Sequence, residues 1–131
     1  MNWYHYTCDH GHHGITVDGT LLPTRELIDP SVYQQTPAWR RALLDLIWLT
    51  DLDAPDRAAL GLTSHILTCD RTRHRWRAID YTPMRYIAIR RDLPQQTRRE
   101  LESATGVLPM HWWVAYTAVP AVYDPIPEVT S

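Results

Sequence analysis

The first fourteen residues constrain the fold most. An aromatic run, Trp3-Tyr4-His5-Tyr6-Thr7, passes into a histidine-dense segment that ends at Gly14. Aromatic and β-branched side chains suit a pleated, half-buried surface, so Asn2 to Cys8 is read as a strand. Alternation along it sets Trp3, His5 and Thr7 on one face and Tyr4, Tyr6 and Cys8 on the other. Asp9 is a candidate cap for a short helix running to about Asp18, and Gly19 stands where a left-handed stop belongs. Four of the seven histidines and one of the two cysteines fall within this stretch. Two readings of it compete: a metal cluster, or the opening strand of a nucleotide-binding fold with His5 and Thr7 at the ligand.

The metal reading draws on His5, Cys8, His10, His12 and His13. A zinc site wants about four nitrogen or sulfur ligands, commonly as two close pairs brought together from separate places. The second pair would have to be Cys69 with His65 or His74, and that spacing is not a zinc pair. No metal is expected. Cys8 and Cys69, each in a Thr-Cys-Asp setting, are too few for a disulfide framework and read as small thiols at strand ends. A nucleophile made of Cys8 or Cys69 beside an imidazole has only residue identity behind it.

Further along, Leu21-Leu22-Pro23 reads as a short bridging piece. Residues 24–38 look irregular, a loop that would cover a site. A helical turn or two follows from Pro37 to Asp45. Leu46 to Thr50 reads as a buried strand, and Asp53 to Leu62 as a short helix capped by Asp53 and stopped near Gly61. Strands are expected at His74–Ile79 and Met84–Arg90, with Ser64–Cys69 extended. A polar helix follows over Gln95–Ala104, and His111–Val122 is read as one long strand. The sum is an α+β fold in one domain, residues 1–123, with a loose proline-bearing tail at 124–131.

Composition excludes some function classes. All thirteen basic residues are arginine and there is no phenylalanine, a bias that suits a GC-rich genome. The formal net charge of −2 argues against a mainly electrostatic nucleic-acid binder. No apolar run is long enough to span a membrane, and the start lacks the pattern of a signal peptide, so a cytoplasmic protein without a membrane partner is expected. Arg71, Arg73, Arg75 and Arg77 recur at period two. In an extended chain they share a face, read mainly as solvated, with Arg71 the first candidate for a phosphate. Trp112-Trp113 and Trp48 read mainly as core.

Trp3-Tyr-His-Tyr-Thr7, a short helix, Gly19-x-Leu-Leu-Pro23 and then Ile47-Trp-Leu-Thr50 resemble the opening of ADP-ribosyltransferase-fold proteins. The nearest branch holds the RNA 2′-phosphotransferases and the DNA-targeting ADP-ribosyltransferase toxins. The chain is also similar to small proteins of actinobacteria and their phages that carry Tyr-Thr-Cys-Asp-His-Gly and Trp-x-Thr-Asp-Leu segments. The resemblance covers about residues 3–51. It implies a curved, split β-sheet clasping NAD, and activity as an ADP-ribosyltransferase-like enzyme with a nucleic acid or nucleotide as the acceptor. It places His5, Tyr6 and Thr7, together with Trp48 and Thr50, along the cofactor, and Arg71 or Arg75 at its pyrophosphate. His5 would act in catalysis. Many transferases of this fold carry a glutamate on a late strand, whereas His111 to Pro120 holds no acidic residue. Asp51 and Asp70, at strand ends, are better placed than Glu100 and Glu102, which read as solvated helix charges. The alternatives are a catalytically silent module of the same fold that binds a nucleotide or a partner, and a small metal-binding protein.

Overall fold

The computed structural model describes residues 1–61 and 71–127. Ser64–Cys69, with His65 and Asp70, and the end of the tail at 128–131 lie outside the described residues. The fold mixes helix and strand. Its centre is a curled antiparallel six-stranded sheet shaped as a half-barrel.

In chain order the strands are β1 (Tyr4–Thr7), β2 (Thr20–Leu21), β3 (Ile47–Thr50), β4 (His74–Ala78), β5 (Trp112–Ala115) and β6 (Val119–Tyr123). Across the sheet they run β2-β6-β4-β1-β3-β5. The helices are α1 (Asp9–Asp18), α2 (Pro30–Gln35), α3 (Ala38–Leu44), α4 (Tyr86–Ile89) and α5 (Gln95–Glu102).

The curl follows from connectivity. β5 and β6 lie four places apart in the sheet, which is about 19 Å if the sheet were flat. Only Tyr116, Thr117 and Ala118 join them, and the path from Ala115 to Val119 spans at most about 14 Å. The two ends of the sheet must therefore bend toward each other. The sequence expectation of one long strand from His111 to Val122 fails here. The apolar run from Trp112 to Val122 continues across the bend with little interruption, so it does not mark the break.

Register assigns the two sheet faces. Tyr4 opposes Arg77, His5 opposes Trp76, Tyr6 opposes Arg75 and Thr7 opposes His74. One face therefore carries His5, Thr7, His74 and Trp76. It continues into an apolar cluster that includes Ile15, Leu21, Ile47, Leu49, Trp113 and Val119. The other face carries Tyr4, Tyr6 and Arg75. Beyond these a second cluster forms from Leu46, Tyr86, Leu93, Trp112 and Val114. The expected alternation of β1 is what the structure has.

α1 ends as expected. Gly19 adopts φ +64°, and its N–H bonds the Ile15 carbonyl. The N-cap is Cys8, however, not Asp9, which is the first helical residue.

Three other expectations need correction. Met84–Arg90 is not a strand. Its residues form α4, which buries Tyr86 and half-buries Ile89 while Ile87 faces solvent, an i, i+3 pattern. Asp53 caps no helix. The Asp56 side chain accepts from the Ala59 N–H and organises a turn that ends at Gly61, φ +71°. Residues 24–38 are also more ordered than expected, with a 3-10 turn at Thr24–Glu26 and α2 capped by the Asp29 side chain.

Candidate functional site

β1 is fully laddered to β4, but the only register pair joining it to β3 is Tyr4 with Thr50. Beyond that pair the sheet parts. A cleft of about 1230 Å³ lies there, bordered by consecutive residues of both strands, Tyr4–Cys8 and Leu46–Thr50. One wall is α1 and the segment after it, through Gly11, Ile15, Leu22 and Leu27. The other is the end of α5 and the segment after it, through Glu100, Leu101 and Thr105, with Arg71 also on the lining.

His5 occupies the parting. Its Nδ1 lies 2.7 Å from the Trp48 carbonyl oxygen. A carbonyl only accepts, so Nδ1 carries the proton and donates. Burial holds the His5 pKa below its ordinary value, and the positive charge of Arg71 adds to this. The hydrogen bond to Trp48 offsets part of the effect. The imidazole is therefore neutral, with Nε2 bare. It can accept a hydrogen bond and so asks for a donor, such as a hydroxyl.

Thr7 stands one alternation further along the same face, buried beneath α1. The helix approaches so closely that a Cβ on Gly11 would overlap Thr7 Oγ1. Glycine at 11 is thus a packing requirement of the cleft wall. Gly11 and Gly14 share a helix face with Ile15 and all three border the cleft. The close approach is at Gly11 alone, since a Cβ on Gly14 would meet nothing within 4 Å, and the sequence offers no signal that separates the two.

The other expected site residues divide. Trp48 borders the cleft and packs its ring against Tyr86 and Trp112. Thr50 also borders it, but its hydroxyl donates to the His111 carbonyl at 2.7 Å and accepts from the Leu52 N–H. Asp51 is not on the lining. It accepts from His111 Nδ1 at 2.8 Å, so it orients an imidazole at the end of β5. Tyr6 donates its hydroxyl to the Leu52 carbonyl on the opposite sheet face. Burial pushes its pKa up to about 12, with Arg75 pulling the other way.

Arg75 does not reach the cleft with Arg71. It is 7% exposed, stacked 4.6 Å from the Tyr4 ring centre, and paired with Asp124 at 3.0 Å. Further donors go to the carbonyls of Asp53 and Asp124. Glu100 is the carboxylate that the structure does bring to the cleft, at its exposed rim. The sequence reading had left it as a solvated charge, and nothing in the helix pattern distinguished it. Glu102 faces away, bonded to Tyr86 and Arg90.

Among the described residues no group of three or more His, Cys, Asp or Glu side chains is placed to hold a metal ion. Also among them, no helix is long and apolar enough to cross a membrane. Comparison of the chain with family models, curated proteins and solved structures returns no match.

Proposed function

We propose that the cleft between β1 and β3 binds NAD and supports ADP-ribosyl transfer, with a nucleotide or nucleic acid as acceptor. The observation that carries this reading is His5. A neutral imidazole, anchored through Nδ1 with Nε2 bare, stands where the sheet parts. It fits a ribose hydroxyl, which is a donor. The lining suits a dinucleotide in other respects. Apolar walls from Ile15, Leu22, Leu27 and Leu101 accommodate rings, and the exposed guanidinium of Arg71 suits a pyrophosphate. Bound NAD supplies a labile bond between ribose and nicotinamide. His5 would hold the ribose, Arg71 the pyrophosphate, and the apolar walls would exclude water from the bond that breaks.

The test is to add NAD to the purified protein, follow its thermal stability and assay free nicotinamide. Stabilisation together with release, both lost in His5→Ala, is the expected result. The second reading, a silent nucleotide-binding module, is favoured by Thr50 and Asp51, whose side chains are engaged within the fold. It predicts stabilisation without release. Absence of any thermal response to NAD sinks both readings.

A further inference from the structure

Beside the cleft but not on its lining, between α1 and the ends of β4 and β6, four rings and a carboxylate converge. His74, at the start of β4, lies with Nε2 2.6 Å from Asp9 Oδ1. Its Nδ1 lies 3.1 Å from the hydroxyl of Tyr123, the last residue of β6. A carboxylate accepts, so Nε2 carries the proton; Nδ1 is then the bare nitrogen, and the phenol donates to it. His12 stacks on His74, with ring centres 4.0 Å apart and planes within 11°. The Trp76 indole N–H donates to His12 Nδ1 at 3.1 Å and fixes that ring in turn. Arg73 approaches Asp9 Oδ2 at 3.3 Å. Among the described residues, the titratable and charged groups that face His74 include Asp9 and His12 from α1, Tyr123 from β6 and, through Asp9, Arg73 from the turn before β4.

This order of groups is carboxylate, imidazole, hydroxyl. It is the arrangement by which proteins activate a nucleophile: the base takes the hydroxyl proton while the carboxylate holds the imidazole in the required tautomer. His12 covers one face of the imidazole, and Asp9 and Tyr123 engage its two nitrogens. Tyr123 is also open to a reactant, being 44% exposed. We propose that Asp9, His74 and Tyr123 form a second reactive site, in which Tyr123 attacks an electrophilic phosphoryl centre. In the step the phenolic oxygen forms a bond to phosphorus and the bond from phosphorus to the leaving group breaks. The phenolic proton passes to His74 Nδ1, and Asp9 balances the imidazolium. Arg73 supplies positive charge beside an anionic phosphoryl group. The site stands on this geometry alone and is independent of the reading of the cleft.

The molecule contains its own control. Tyr116 is 41% exposed, close to the value for Tyr123, and no imidazole is bonded to it among the described residues. The full chain is treated with diisopropyl fluorophosphate, whose phosphoryl fluoride loses fluoride on attack, and each tyrosine is followed by peptide mass spectrometry. Tyr123 should be modified roughly a hundredfold faster than Tyr116, the gain expected of a positioned general base. His74→Gln should bring the Tyr123 rate to that of Tyr116, Asp9→Asn should lower it, and Tyr123→Phe should leave a folded chain with no fast adduct. Equal rates at the two tyrosines would overturn the proposal. So would a Tyr123 rate unmoved by His74→Gln.

Discussion

Arg71 and Arg75 are four residues apart and end in the same guanidinium, yet they do opposite work. Arg75 lies under the sheet face lined by Tyr4 and Tyr6. Its donors are taken by Asp124 and by the carbonyls of Asp53, Asp124 and Pro125. Arg71 stands exposed at the cleft. The two faces of β1 differ in the same way. Tyr6 closes its hydrogen bond inside the protein, whereas His5 is anchored through one ring nitrogen and the other is the group proposed to meet a ligand. A buried polar group with all its partners holds the fold together. One with a single partner too few, set in a cleft, is a candidate binding group.

The sharpest way to break this contrast is to remove each arginine. Arg75→Ala should cost about 3 kcal/mol, because it strips a buried cation from Asp124 and leaves several carbonyls without donors. Arg71→Ala should stay within about 0.5 kcal/mol of the parent while weakening stabilisation by NAD. Urea unfolding of the two variants decides it; similar losses would show that the two positions are not different in kind.

A smaller effect is expected at the cleft wall. Gly11→Ala should destabilise by about 1–3 kcal/mol, because the added methyl meets Thr7 Oγ1 and forces α1 outward. Adding Thr7→Ala should recover part of that loss, since the two sites are in contact. A double-mutant cycle by chemical denaturation measures the recovery. Additive losses would mean that the helix does not rest on Thr7.

The smallest effect is a pH dependence. Burial lowers the pKa of His12, and the neighbouring His74 adds to this while Asp9 opposes it. The folded pKa therefore lies below the unfolded value of about 6.5, so the unfolded chain holds the proton more readily. Stability from His12 is complete above that value and is lost as pH falls through the folded pKa. His5 adds a dependence of the same sign. Protonation of His12 Nδ1 also breaks the bond from Trp76. His12→Asn offers an acceptor at every pH and should flatten the fall in melting temperature as pH drops below about 6.5. An unchanged slope would assign the effect elsewhere.

Much of the local structure was readable from residue types. β1 with its two faces, α1 with its glycine stop, the core of β3 and the proline-led α5 follow from propensity, alternation and capping. Arg75 was not readable, because nothing in the arginine repeat separates it from its neighbours. Its burial comes from register, which sets it opposite Tyr6 and beside the Tyr4 ring. The break between β5 and β6 and the parting of β1 from β3 were equally hidden in the residues themselves, since both depend on strand order across the whole sheet. At the cleft, His5 and Thr7 came from alternation. Glu100 and Gly11 needed the helices to be docked.

The three-residue link between β5 and β6 also bears on how the molecule assembles. β1 comes first in the chain yet takes a central place in the sheet, and it must wait for β4, about seventy residues later, to complete its ladder. The bend that brings β5 and β6 into place comes later still. Such distant pairings make for slow folding. The cleft at His5 takes its walls from β1, β3, α1 and the end of α5, so on the proposed reading NAD binding should lag behind formation of the helices. In refolding followed by pulsed hydrogen exchange, α5 should gain protection before β1. Stabilisation by NAD should appear only with the final phase.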